Sequence, residues 1–128
     1  MMITYNELGA MLDDIANELP EDLYRELNGG VILLPESKLH PQSDSINKLY
    51  IMGEYHYQPL GLGRYITIYY GSFIRVHAHN SPKEQKEELR KIVFHEFLHH
   101  LESLAGDRSL EIKDAHDLIK YKEKYNRK

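Results

Sequence analysis

The strongest constraint on this chain is one continuous helical pattern running from residue 81 to residue 105. Ser81-Pro82-Lys83-Glu84 opens it with an N-cap serine, a proline at the first helical position and a glutamate three residues after the cap. Leu89, Ile92, Val93, Phe97, Leu101 and Leu104 recur at helical spacing and mark a buried side, and Gly106 supplies a C-terminal stop. Such a helix spans roughly 35 Å, about the diameter of a small domain, so the rest of the chain must pack around it. Within it lies His95-Glu96-Phe97-Leu98-His99. Residues four apart on a helix stand one above the other on the same face. Two imidazoles so placed can grip one metal ion through ring nitrogens, and zinc is the typical occupant. Glu96 sits beside the first histidine, where a carboxylate can take the proton of a water that the metal activates.

Size and composition limit the alternatives. A chain of 128 residues is read as a single domain, 1–128, with one modest core. The formal charge of -4 and the even spread of basic residues, apart from the C-terminal end, give no nucleic-acid footprint. There is no cysteine, which excludes a disulfide framework and thiolate zinc ligands. Met1 to Glu7 lacks the basic and apolar regions of a signal peptide, and no apolar run approaches a membrane span. The expectation is a cytoplasmic protein with neither nucleic-acid nor membrane partners.

Ahead of the long helix the pattern is mixed. Thr4-Tyr5-Asn6-Glu7 reads as a capping box, and Leu8, Met11, Leu12, Ile15 and Leu19 follow at helical spacing until Pro20. Glu21 to Leu27 fits one or two further turns, stopped by Asn28-Gly29-Gly30. Val31 to Leu34 is expected to be a buried strand, residues 36–48 a loop, and Leu49 to Tyr55 a second strand. Tyr65 to Tyr70, rich in aromatic and β-branched residues, predicts a third strand after a turn at Gln58 to Gly63. If that strand lies at a sheet edge beside the metal helix, an extended peptide can pair with it; otherwise it is an ordinary structural strand. Phe73 to Val76 either continues the extended path or starts a short helix. His77 and His79, two apart, share one side of a strand and read as a loop or surface pair, while His100 reads as a packing or second-sphere histidine. A final helix is expected from Ser109, fraying in the lysine-rich tail.

A catalytic zinc usually has three protein ligands, so a third is needed beyond His95 and His99. Glu102 shares their face but lies a full turn beyond His99. If the last helix returns antiparallel, counting equal rises back along both helices brings Asp114, His116 and Asp117 level with the histidine pair. Asp114 is the first choice, Glu111 and Glu102 follow, and Asp107 fits if the long helix ends early.

Taken in order, several pieces resemble the small bacterial zincin-like metallopeptidases, the minimal zincins. They are Ala16-Asn17-Glu18-Leu19-Pro20, Val31-Ile32-Leu33-Leu34-Pro35, Ile51-Met52-Gly53-Glu54-Tyr55, the Arg64 to Tyr70 strand and His95-Glu96-Phe97-Leu98-His99-His100. The last is chemically specific and the others match by order and spacing. The resemblance implies an α+β fold with a small mixed sheet against the motif helix and helices at both termini. It also implies one zinc ion held by His95 and His99, with Glu96 as base. Members commonly carry a glycine three residues after the second histidine and an acidic residue three beyond; here those places hold Glu102 and Ala105. A ligand from Leu110-Glu111-Ile112-Lys113-Asp114 would compensate. The expected function is a zinc-dependent metallopeptidase acting on a peptide or small protein. The alternative is a catalytically inactive zincin-like domain that binds a peptide or protein partner. A deformylase is disfavoured because its cysteine ligand is absent.

Overall fold

The computed structural model describes residues 2–105. The first helix, α1 (Tyr5–Ala16), begins with the expected capping box. Glu7 N–H donates to Thr4 Oγ1 at 3.1 Å and Thr4 N–H donates to Glu7 Oε1 at 2.8 Å. Leu8, Leu12 and Ile15 bury its apolar stripe. Of the turns expected after Pro20, one 3-10 turn forms at Glu21–Tyr24, with Leu23 buried.

Among the described residues five strands follow: β1 (Gly30–Leu34), β2 (Lys38–Leu39), β3 (Tyr50–Ile51), β4 (Gly53–Gln58) and β5 (Gly63–Tyr69). The region expected to be a loop therefore contains β2, which pairs antiparallel with β3 through Lys38↔Ile51 and Leu39↔Tyr50. The strand expected over Leu49 to Tyr55 divides at Met52 because the chain changes partner there. Before Met52 it pairs with β2; after it, β4 runs antiparallel to β5, and Tyr69 N–H donates to Met52 C=O at 2.9 Å. The larger sheet has the order β1-β5-β4, with β1 parallel to β5.

This order decides between the two readings of Tyr65 to Tyr70 in favour of an ordinary structural strand. β5 is the central strand, its backbone paired on both sides and Tyr65 through Tyr69 all buried. The edge beside the long helix belongs to β4. The chain turns straight from β5 into α2 (Tyr70–His77), so Phe73 to Val76 is helical. His77 ends that helix and His79 lies beyond it, so the two do not share a strand face.

The long helix, α3, is described over Pro82–Ala105, and its cap is as read: Glu84 N–H donates to Ser81 Oγ at 3.2 Å and Ser81 N–H to Glu84 Oε1 at 2.9 Å. Leu89, Val93, Phe94, Phe97, Leu101 and Leu104 enter one core with Leu8, Leu12 and Ile15 of α1, Ile66 and Ile68 of β5, and Phe73 of α2. Arg90 clamps α3 to the end of α1, its Nε and Nη2 donating to the two Glu18 oxygens at 2.8 and 2.7 Å. The described chain is α+β, with a small mixed sheet packed against α3. No helix among the described residues is long and apolar enough to cross a membrane. The final helix expected from Ser109 lies outside the described residues, as do Asp107, Glu111, Asp114, His116 and Asp117.

Candidate metal centre

With Phe94, Phe97 and Leu101 directed into the core, the 100° step of α3 leaves His95 and His99 exposed on the other side. Their rings converge. His95 Nε2 and His99 Nε2 stand 3.0 Å apart, with ring centroids 4.5 Å apart and planes at 85°. Two nitrogens held at zinc-ligand distance with tetrahedral geometry would lie about 3.3 Å apart, so the pair is close to the bite that one zinc ion requires. The far nitrogen of His99 is also accounted for: Nδ1 lies 3.1 Å from Glu102 Oε1. An ionised carboxylate can only accept, so Nδ1 carries the proton and the Nε2 lone pair points toward His95. Glu102, weighed above as a third ligand, thus sits behind His99 and orients it. No group of three His, Cys, Asp or Glu side chains able to hold a metal occurs among the described residues.

Glu96 is held differently. It lies between the two histidines in sequence but is only 6 % exposed. No hydrogen bond reaches its carboxylate among the described residues. Burial pushes its pKa up to about 7; the nearby His99 pulls it down and the charge of Glu54 pushes it further up. The close approach of β4 explains the burial. A Cβ built on Gly53 would stand 2.8 Å from Ile92 Cγ2 and 3.3 Å from Glu96 Cγ, so a glycine is needed where strand and helix meet.

An open cleft of about 870 Å³ runs between α3 and the wall made by β4 and the β2–β3 hairpin. His95, Glu96 and His99 line one side; His40, Glu54 and Tyr55 line the other. An adjoining pocket of about 420 Å³, built from Met52 and Ile92 with Lys91, shares Ile51, Gly53, His95 and Glu96 with the cleft. Glu54 Oε1 accepts from Lys38 Nζ at 2.6 Å and from Tyr69 Oη at 2.6 Å. Partial burial works against its ionisation, but these two bonds prevail and hold its pKa below the ordinary carboxylate value. His100 is buried, and burial depresses its pKa. It bridges Arg25 C=O at 3.0 Å through Nε2 and Tyr55 Oη at 2.9 Å through Nδ1, which fixes Tyr55 in the cleft wall and matches the packing role expected for it.

His95, Glu96 and His99 are therefore brought together, whereas His77 and His79 do not line the cleft. The sequence reading missed His40, Glu54 and Gly53 as parts of the site. A glycine between Met52 and Glu54 inside a strand pattern is a signal for close backbone approach, and it marks the right place.

A helix carrying two convergent imidazoles and a buried acid, set against a small mixed sheet, defines the class of site. Among solved structures, the chain is similar to a conserved hypothetical protein from Thermus thermophilus. The two are 34% identical with a TM-score of 0.68, over 82% of this chain and 100% of that one. The chain belongs to the family of that protein. No family model and no curated protein matches the chain.

Proposed function

We propose that this protein is a zinc-dependent metallopeptidase of the minimal-zincin kind, acting on peptides or small proteins. The observation that carries this reading is the 3.0 Å approach of two exposed imidazole nitrogens beside a buried acid. His95 and His99 would hold the ion, and Glu102, 3.1 Å from His99 Nδ1, fixes the His99 ring. Asp114 is the first choice for a third ligand, ahead of Glu111, Asp117 and Asp107. Bound there, zinc would polarise the scissile carbonyl and acidify a water molecule. The remaining chemistry falls to the chain. In the metal-free chain burial pushes the pKa of Glu96 up to about 7; a cation on the flanking histidines would draw it down and favour the ionised carboxylate that a general base needs. Its carboxylate accepts the proton released as water attacks the carbonyl carbon and returns it to the departing amine nitrogen. Among the described residues β4 ends the sheet beside this point, and its outer edge can pair with an extended peptide backbone.

Zinc stoichiometry and peptide hydrolysis, measured on one preparation, test the proposal. The parent should bind one zinc per chain and cleave a quenched fluorescent peptide mixture. His95→Ala and His99→Ala should each lose the metal. Asp114→Ala should weaken zinc binding, and an unchanged affinity moves the third ligand to Glu111, Asp117 or Asp107. A parent that takes up no zinc after metal dialysis sinks the reading in favour of a peptide-binding domain without catalysis.

A further inference from the structure

The β2–β3 hairpin carries His40 into the wall of the cleft that faces His95, Glu96 and His99. The residue is held at three points. Its backbone N–H donates to Leu49 C=O at 2.7 Å, its C=O accepts from Ser43 N–H at 2.9 Å, and its Nδ1 accepts from Gln42 N–H at 3.0 Å. The hairpin is itself anchored. Lys38 N–H donates to Ser72 Oγ at 2.8 Å, and Lys38 Nζ donates to Glu54 at 2.6 Å. At Gly71, a built Cβ would lie 2.6 Å from Ser37 N, so the absent side chain lets the hairpin's first residues seat on α2.

These bonds determine the chemistry of the ring. Because Nδ1 accepts, the proton of the neutral imidazole is on Nε2. Nε2–H has no partner among the described residues, and the side chain is exposed at the cleft. As placed, the ring presents neither nitrogen lone pair to a metal. The residue lines the same cleft as Glu96, and its ring, fixed through Nδ1, leaves Nε2–H uncommitted among the described residues; a fixed donor serves best where negative charge develops.

Building on the peptidase reading, we propose that His40 is a further catalytic residue that donates Nε2–H to the substrate carbonyl oxygen as it becomes an oxyanion. Water oxygen bonds to the carbonyl carbon, and the carbonyl π pair moves onto oxygen, where His40 stabilises it. The water proton passes to Glu96. When the oxyanion collapses, the C–N bond breaks and that proton goes to the amine nitrogen. His40 keeps its own proton throughout.

The test uses the full chain loaded with zinc. Zinc affinity is measured by competition with a chromophoric chelator, binding of an N-protected dipeptide phosphonamidate by calorimetry, and hydrolysis with a quenched fluorescent peptide. His40→Ala should keep zinc affinity within about twofold, bind the phosphonamidate at least tenfold more weakly, and lower kcat by about 10²–10³ with little change in KM. His40→Gln, which retains an N–H donor, should recover part of both losses. Unchanged phosphonamidate affinity and kcat in His40→Ala overturn the assignment. A drop in zinc affinity matching that of His95→Ala also overturns it, by making His40 a ligand. If the parent itself takes up no zinc, the peptidase reading fails, and the first titration shows this before any His40 variant is compared.

Discussion

The two walls of the cleft each contribute a carboxylate, and the fold treats them in opposite ways. Glu54 on β4 receives an ammonium and a phenol hydroxyl at 2.6 Å each, and its pKa falls. Glu96 on α3 is buried against the Gly53 backbone, receives no hydrogen bond among the described residues, and its pKa rises to about 7. The residues are chemically near-identical, so the difference lies in the surroundings. Donors and a cation favour the ionised form of one acid; in the metal-free chain desolvation turns the other into a group that can exchange a proton at neutral pH. The walls are also coupled, because the charge fixed on Glu54 adds to the rise at Glu96.

Removing the exchangeable proton breaks the comparison most severely. Glu96→Gln keeps the shape of the α3 wall but cannot accept a proton, so hydrolysis should fall by about 10²–10⁴. Zinc affinity should stay near the parent's. Equal turnover by variant and parent would remove Glu96 from the chemistry.

A smaller effect should follow from pushing the walls apart. Gly53→Ala puts a methyl within 2.8 Å of Ile92 Cγ2, 3.2 Å of Ile68 Cδ1 and 3.3 Å of Glu96 Cγ. Overpacking of this kind costs about 1–3 kcal/mol, visible as a lower Tm, and wetting the cleft should bring the pKa of Glu96 back toward 4.5. A melt superimposable on the parent's would mean that strand and helix do not meet closely at this position.

How much of this was legible in the sequence depends on how local each feature is. The helix caps at Thr4–Glu7 and Ser81–Glu84 form as their three-residue spacing predicts, because both partners lie within one turn. The His95–His99 pair is legible for the same reason: four residues on a helix fix one face. The position of β5 is not local. Its aromatic and β-branched residues announce a strand, but whether that strand is central or at the edge depends on β1 and β4 arriving on either side. Glu54 and His40 join the site through the change of strand partner at Met52 and the pairing of β2 with β3, and neither leaves a mark in residue spacing. Asp114, chosen by counting rises along an antiparallel helix, depends on a packing outside the described residues.

The mildest perturbation, Glu54→Gln, sharpens the comparison because it acts on both walls at once. In the folded chain the Glu54 pKa lies below its ordinary value of 4.5. A carboxyl so shifted stabilises the fold above the unfolded pKa, and that contribution is lost as pH falls through the folded value. Glu54→Gln should therefore cost stability at pH 7, on the order of 1 kcal/mol, because the bonds from Lys38 and Tyr69 lose their charge at a partly exposed site. The gap to the parent should start to close below about pH 4.5 and vanish once the parent's own Glu54 is protonated. On the other wall, removing the Glu54 charge should lower the pKa of Glu96, because that like charge raises it. Paired urea melts at pH 7 and pH 3 read the first effect, and carboxyl NMR titration of the metal-free chain reads the second. A Glu96 midpoint that stays at about 7 in Glu54→Gln would show that the Glu54 charge does not reach it and that the walls titrate independently.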